Sequence, residues 1–179
     1  MSIIRFESKP LKIGDWTILR LPESASAKLP SRGMTLVEGT INGFRSKIVL
    51  EPDGKGSHWF SVASALRDDG IDASDTVTIV VEPSKEWPEP DVPADLSKAL
   101  KSDLQAKALW GKLTPMARWD WLRWIRATNN RETRSRHIEV ALSKLKAGER
   151  RPCCFNRNLC TEPEVSKNGV LIEPTQRTK

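Results

Sequence analysis

Arginine and tryptophan side chains are interleaved from Thr114 to Arg151, and they are the side chains of this sequence best suited to bind a charged partner. Between Arg118 and Arg157, eleven Lys and Arg residues accompany four Asp and Glu residues, so this segment carries +7. The whole chain carries only +6, so the remainder sums to −1 and the basic charge is local. Guanidinium groups bind phosphates and carboxylates, and exposed indoles stack on bases.

Seven residues of this stretch are candidates for a surface that binds an anionic partner, either an acidic protein or a nucleic acid. They are Arg118, Arg123, Arg126, Arg131, Arg134, Arg136 and Trp119. Arginines on the outer side of a helix often serve only solubility and intrahelical pairs, and tryptophans at helical spacing usually pack in a core. Whether the indole of Trp119 is exposed distinguishes a nucleic-acid partner, on whose bases it would stack, from a protein partner.

Four polar residues of the N-terminal half form a second candidate set, able to hold a small acid in a pocket at the junction of a β domain and a helical domain. They are Arg32, Arg45, His58 and Arg67. His58 has no second His, Cys or acid at ligand spacing, and no Gly-x-Ser-x-Gly elbow is present. We therefore expect no metal site and no cofactor, and no catalytic residue can be named. A small-ligand-binding protein or an enzyme that uses this pocket is an alternative to the anionic-partner function.

Three cysteines, Cys153, Cys154 and Cys160, lie close together near the C-terminal end. Their odd number argues against a disulfide framework, and the absence of Cys-x2-Cys pairs argues against zinc, so we expect reduced thiols. No run approaches the roughly 18 apolar residues of a membrane span, and the N-terminal sequence lacks the pattern of a signal peptide. These features predict a cytoplasmic location.

The arginines at positions 118, 123 and 126 fall on a predicted helix that starts at Thr114-Pro115, a favourable N-cap followed by a favourable first residue. Its apolar stripe consists of Ala117, Trp121, Trp124, Ile125 and Thr128. One such stripe packs on a core and leaves the other positions to water. The three arginines are therefore expected to lie mostly toward solvent.

Further helices are predicted on both sides of this one. Asn129-Asn130 interrupts the pattern, and a second stripe leads to Gly148 as a C-cap, which predicts a short antiparallel helical hairpin. That stripe consists of Arg134, Ile138, Ala141, Leu142 and Leu145. Two earlier helices are predicted at 94–100 and 103–113, with Ser102 as the second N-cap. Their common stripe is Leu96, Leu100, Leu104 and Ala108.

The first 83 residues have the composition of β-strands. Six strands are predicted at 3–6, 16–21, 34–41, 46–50, 57–62 and 76–82, with one or two helical turns at 63–69. Asn42-Gly43 marks a hairpin, and Asp53 to Ser57 is expected to be a turn rather than a phosphate loop. Several short strands separated by turns indicate a small barrel or sandwich.

Four prolines between Pro83 and Pro93 exclude a helix interior or a central strand, so this segment is the best domain boundary. The predicted organisation is a β-barrel domain at 1–83, a Pro-rich linker at 84–93, a helical domain at 94–151 and a Cys-containing tail at 152–179. Within the tail, the sequence leaves three alternatives: a small hairpin closed at Asn168-Gly169, a segment that lies back along the barrel, or a frayed end.

These segments in this order resemble a known bacterial family. VEGTINGFRSKIVLEPDGKGSHWFSVASALRDDG and DTVTIVVEP, then VPADLSKAL, WGKLTPMARWDWLRWI and NRETRSRHIEVALSKLKAGERRP, are similar to the YdeI/OmpD-associated family preceded by an uncharacterised double-split β-barrel domain. The resemblance covers about Trp16 to Arg151. It implies an α+β protein, with a small AbrB-like pseudobarrel of about six strands followed by a helical domain of three to four helices.

The resemblance implies a part in bacteriocin or stress tolerance, and no catalytic residue set comes with it. Three functions follow as hypotheses: a non-enzymatic binding protein with a basic helical face, a nucleic-acid-binding protein, or a small-ligand protein or enzyme. The partner is not specified by the sequence. A monomer is the expected state, with the barrel completed within one chain.

Overall fold

The structure is a computed structural model that describes residues 2–65, 75–153 and 155–174. Over these residues the chain forms two compact units. The β unit comprises 2–65, 75–86, 156–160 and 165–174, and the helical unit comprises 87–153, 155 and 161–164. The fold class is therefore α+β, as the sequence predicted.

A curled antiparallel sheet of seven strands, half of a barrel, forms the β unit. The strands are β1 (Ile4–Ser8), β2 (Leu11–Ile13), β3 (Trp16–Arg20), β4 (Thr35–Ile41), β5 (Phe44–Pro52), β6 (His58–Ser61) and β7 (Val77–Pro83), and the order across the sheet is β1-β7-β4-β5-β6-β3-β2. Two short helices accompany them, α1 (Glu23–Ser26) and α2 (Val62–Ala65). Residues 66–69 of the predicted helical turn lie outside the described chain.

The sheet buries one face along β1 and β7, and both faces at β3 and β6. In β1 and β7 every second residue is buried, as half-buried strands require. In β3, by contrast, the consecutive Ile18 and Leu19 are both buried, and so are Trp59 and Phe60 in β6. Leu19 and Phe60 belong to the main core, whereas Ile18 and Trp59 pack with residues of the chain's C-terminal segment.

That C-terminal segment returns to the β unit, one of the alternatives that the sequence left open. Cys160, Val165 and Leu171 are buried against the second face of the sheet. The predicted hairpin at Asn168-Gly169 is confirmed between β8 (Ser166–Lys167) and β9 (Val170–Leu171). The thiol of Cys160 therefore lies in an apolar core, and Cys153 is exposed.

The sequence missed β2, the seventh strand. β2 has only three residues and follows Pro10, so it shows no period of its own. It forms through its pairing with β3, where Leu11 lies opposite Ile18 and Ile13 opposite Trp16. Pairing of this kind adds a strand that local propensity does not predict.

Four helices make up the helical unit: α3 (Ala94–Ser102), α4 (Leu104–Lys112), α5 (Pro115–Arg126) and α6 (Arg131–Lys146). The predicted start of α5 is confirmed, because Thr114 accepts a hydrogen bond from the Ala117 amide at 3.2 Å. The N-cap of α4 is Asp103 rather than Ser102, since the Asp103 carboxylate accepts from the Ala106 amide at 3.1 Å. A carboxylate also complements the positive N-terminal end of the helix dipole.

The predicted stripe of α3 and α4 is wrong in its second half. Leu96 and Leu100 are buried, but Leu104 is 75% exposed and Ala108 is also exposed. The residues of α4 that enter the core are Ala106 and Trp110. The chain leaves helical geometry at Asp103, so the four-residue repeat does not continue in phase from one helix to the next.

Candidate functional site

The prediction that three arginines of α5 lie mostly toward solvent is wrong. Arg123 is completely buried, with its Cζ atom 5.5 Å from the centroid of the Phe155 ring. Trp121 donates from its indole nitrogen to the Arg150 carbonyl at 3.0 Å, so the chain after α6 folds over α5. This return covers a second side of α5, which the sequence pattern assigned to water.

Arg118 is held inside the helical unit by backbone carbonyls. Its Nε donates to the Trp110 carbonyl at 3.1 Å, and its Nη2 donates to the Gly111 carbonyl at 2.9 Å. The same guanidinium pairs with Glu89. Arg118 therefore joins α5 to the end of α4 and to the segment before α3, and its donors already have acceptors.

Arg126 and Arg134 make similar internal pairs. Arg126 lies 3.7 Å from the Glu162 carboxylate and donates to the Thr161 hydroxyl at 3.4 Å. Arg134 makes a bidentate pair with Asp95, at 2.6 and 3.1 Å, which ties α6 to α3. Hydrogen bonding from Arg134 lowers the pKa of the Asp95 carboxyl below its usual value.

Only Arg131 and Arg136 of the six candidate arginines are exposed. They line a shallow cleft of about 390 Å³ on α6 together with Glu132 and Glu139. None of these four side chains makes an ion pair within the described part of the chain. Because two acids accompany two bases, the cleft itself is neutral.

Trp119 is half-buried rather than free for stacking. Its indole nitrogen donates to the Pro88 carbonyl at 2.8 Å, and its ring packs against Trp87 with centroids 6.3 Å apart. Trp124, also on α5, stacks on His137 of α6 at 4.3 Å. The structure thus uses these indoles to join the segments of the helical unit.

The exposed face of α4 was not a candidate from the sequence. It consists of Leu104, Lys107, Ala108, Gly111 and Lys112, all exposed, at helical spacings of three and four. Neither lysine makes an ion pair among the residues that the structure describes. We call these five residues the lysine face. The sequence signal was present in the spacing, but the predicted stripe assigned Leu104 and Ala108 to the core.

The unpaired charge of the helical unit is mainly positive. Counting only described residues, seven exposed cations make no ion pair, against three exposed acids. The cations are Lys98, Lys101, Lys107, Lys112, Arg131, Arg136 and Arg150, and the acids are Asp91, Glu132 and Glu139. The local basic charge that the sequence showed therefore reaches the surface, chiefly through lysines and not through the arginines of α5.

In the β unit, two of the small-ligand candidates come together around Ser26. His58 Nε2 donates to the Gly33 carbonyl at 2.8 Å, so Nδ1 is left to accept from the Ser26 hydroxyl at 2.7 Å. Arg32 donates to the same hydroxyl at 3.2 Å, to the Ser26 carbonyl at 2.6 Å and to the Leu29 carbonyl at 3.1 Å. His58 and Ser26 are both 0% exposed, so the network is closed to a ligand.

The other two candidates do not join that network. Arg45 is exposed on β5, opposite Thr40 of β4. Arg67 lies outside the described residues. The structure therefore places the described members of the small-acid set apart, one pair as an internal support of α1 and one arginine on the surface.

Burial of His58 predicts a pH dependence of stability. Desolvation lowers the pKa of His58 below 6.5, and nearby Arg32 acts in the same direction. The folded protein then binds fewer protons than the unfolded chain, so the contribution is complete above about pH 6.5 and is lost as pH falls toward the folded pKa. We expect the free energy of unfolding to fall as pH drops below 6.5, by at most about 1.4 kcal/mol per pH unit, which is the limit for one bound proton.

Urea unfolding at several pH values measures this slope. The variant His58→Gln should show a flatter dependence of the free energy of unfolding on pH below 6.5. Equal slopes for the natural chain and His58→Gln would contradict the assignment.

Metal and membrane sites give no further candidate. Among residues 2–65, 75–153 and 155–174, no three His, Cys, Asp or Glu side chains form a group able to hold a metal ion. In the same residues, no helix combines the length and apolarity that a bilayer crossing requires. Cys154 lies outside the described chain.

Comparison with known families gave two matches. The family described as "Bacteriocin-protection, YdeI or OmpD-Associated" matches residues 89–148, which include the four helices of the helical unit. A domain of unknown function, DUF1905, matches residues 2–81, which include most of the sheet. No curated protein and no solved structure matched the chain.

Proposed function

We propose that this chain, which matches the bacteriocin-protection, YdeI or OmpD-associated family over residues 89–148 and DUF1905 over residues 2–81, is a binding protein whose lysine face contacts an acidic protein. The observation that carries the proposal is the exposure of Leu104 beside two lysines without ion pairs. Cations attract an acidic partner, and an exposed leucine supplies apolar area for contact. The work of the protein is then binding rather than catalysis.

Two features favour the lysine face over the arginines predicted from the sequence. Four of those arginines are buried or engaged inside the helical unit. The remaining two, Arg131 and Arg136, have Glu132 and Glu139 beside them, which reduces the attraction for an anion. The lysine face contains no acid.

A nucleic-acid partner receives less support. Stacking on bases needs an exposed aromatic ring, and the lysine face has none. The candidate indole of Trp119 is half-buried and its nitrogen is bonded to the Pro88 carbonyl. A protein partner therefore fits the combination of lysine and leucine better.

Charge reversal tests the proposal. We expect Lys107→Glu combined with Lys112→Glu to weaken binding of a fluorescent 20-residue polyglutamate by at least about tenfold in low salt, because attraction becomes repulsion. The matched control, Arg131→Glu with Arg136→Glu, changes the net charge equally and should leave the affinity nearly unchanged. Fluorescence anisotropy measures both.

Three outcomes would contradict this function. If both double variants weakened polyglutamate binding equally, the binding would depend only on the net charge of the protein. A larger loss in the α6 variant would place the contact at Arg131 and Arg136. Tighter binding of mixed-sequence single-stranded DNA than of polyglutamate would favour a nucleic acid.

A survival assay tests the same face in cells. Survival of a bacteriocin-sensitive strain should rise when it expresses the natural chain, and it should rise less when it expresses the variant Lys107→Glu with Lys112→Glu.

A further inference from the structure

A cleft of about 500 Å³ on the β unit brings together two cations and a carboxylate. It is bordered by the end of β3, the turn between β5 and β6, and the segment after β9. Arg20 Nη1 donates to both carboxylate oxygens of Glu173, at 3.2 and 3.0 Å. Lys55 Nζ donates to Glu173 Oε1 at 2.8 Å. The three residues are more than 30 positions apart in the sequence, so no motif marks them.

The turn that carries Lys55 is held rigidly. The Asp53 carboxylate accepts from the amides of Lys55 at 2.7 Å and Ser57 at 3.0 Å. Gly54, at φ +80°, lies so close to the tail hairpin that a Cβ there would be 2.1 Å from the Gly169 carbonyl oxygen. A binding group on a fixed turn loses little entropy when it meets a ligand.

The same fixed geometry brings the tail to the cleft. The Leu171 amide donates to the Asp53 carbonyl at 2.8 Å, so β9 is attached to the turn. Glu173 follows two residues later, and its side chain remains more than half exposed. Lys55 and Arg20 lower the pKa of the Glu173 carboxyl, which is the response of a carboxylate held by cations.

Without Glu173, the charged side chains that line the cleft sum to zero. Apart from Glu173, its lining includes three bases, Lys9, Arg20 and Lys55, and three acids, Glu7, Glu23 and Asp53. Asp53 is engaged by backbone amides of its own turn. Arg20 and Lys55 are the two cations that converge on one carboxylate, and this carboxylate shows which chemical group fits between them.

We propose that Arg20 and Lys55 form a carboxylate-binding site that Glu173 occupies in the free protein, and that an external carboxylate binds there by displacing Glu173. This site is in the β unit and is separate from the lysine face. The ligand is a small diacid or the acidic side chain of a peptide, since both present the group that Glu173 presents. Glu173 then acts as an internal competitor that lowers the apparent affinity.

The experiment is a titration of the full chain with succinate and with a blocked Gly-Glu-Gly tripeptide, followed by the backbone amide NMR signals of Lys55 and Ser57. We expect Glu173→Gln to tighten binding of at least one probe about fivefold, because an exposed ion pair of ordinary strength no longer competes. Adding Arg20→Gln to Glu173→Gln should abolish the binding. The matched control, Arg45→Gln in the same background, removes an exposed arginine of the sheet and should leave binding intact.

Each outcome decides the proposal. Tighter binding of succinate would identify the ligand as a small diacid, and tighter binding of the tripeptide would identify it as an acidic peptide. Either result supports the site. Absence of binding by both probes, no tightening by Glu173→Gln, or binding that survives Arg20→Gln would overturn it. Lys55→Gln provides a second variant for the case in which Arg20→Gln disturbs β3, and far-UV circular dichroism shows that each variant is folded.

Discussion

Replacing Arg123 by alanine is expected to lower the free energy of unfolding by about 3 kcal/mol. The side chain of Arg123 is 0% exposed, and its guanidinium lies over the Phe155 ring. Alanine removes both the buried aliphatic stem and the cation–π contact, and it leaves a cavity between α5 and the chain that follows α6. Urea unfolding followed by tryptophan fluorescence measures the loss.

Arg131→Ala is the matched control for this effect. Arg131 is an exposed arginine of α6 without an ion pair in the described chain, so its truncation should change stability by less than about 0.5 kcal/mol. Arg123→Met, which keeps most of the buried volume, should lose less than Arg123→Ala. If Arg123→Ala and Arg131→Ala lowered the free energy of unfolding by the same small amount, Arg123 would be a surface residue available to a partner.

Gly39→Ala should destabilise the protein by more than about 3 kcal/mol, because the sheet has no room for a side chain at this position. Gly39 lies in β4 between Ser46 of β5 and Val81 of β7. A Cβ at Gly39 would be 2.0 Å from the Val80 carbonyl oxygen and 2.8 Å from the Val81 Cα. Both atoms are backbone, so β4 and β7 would have to separate.

Gly43→Ala separates this clash from a general effect of replacing glycine. Gly43 lies in the turn after β4, and a Cβ there would have no atom within 4 Å. Its φ of +84° is unfavourable for alanine, so we expect a loss of about 1–2 kcal/mol. Thermal unfolding of the two variants gives the comparison. A loss in Gly39→Ala no larger than that in Gly43→Ala would show that β4 and β7 adjust without strain.

The helix boundaries could be predicted because the signals that set them are local. Thr114 and Pro115 begin α5, and Asn130 caps α6 by accepting from the Thr133 amide at 2.9 Å. Gly148 follows α6 with φ +91°, as a glycine after a helix C-terminus commonly does. The hairpins at Asn42-Gly43 and Asn168-Gly169 were predictable for the same reason.

The position of the basic surface could not be predicted, because it depends on residues that are distant in the sequence. Arg134 pairs with Asp95, 39 positions away, and Arg126 pairs with Glu162, 36 positions away. A helical period shows which side of α5 packs on the first core. It carries no information about whether a later segment covers the opposite side, and this is what buries Arg123.

The phase of α4 shows how a short interruption defeats a regular pattern. Leu104 continues the spacing of Leu96 and Leu100, yet the chain becomes extended at Asp103 and a new helix starts there. The new helix packs through Ala106 and Trp110, and Leu104 becomes exposed. The residue that the sequence assigned to the core is thus part of the proposed contact surface.

The sequence by itself determined the α+β class and most element boundaries, since these depend on local spacing, caps, turns and the order of segments. Only the tertiary structure decided which charged groups reach the surface. The same arginine is a surface cation or a buried support according to whether another part of the chain covers it. That outcome depends on contacts between segments far apart in sequence, such as Arg118 with Glu89 and Arg20 with Glu173.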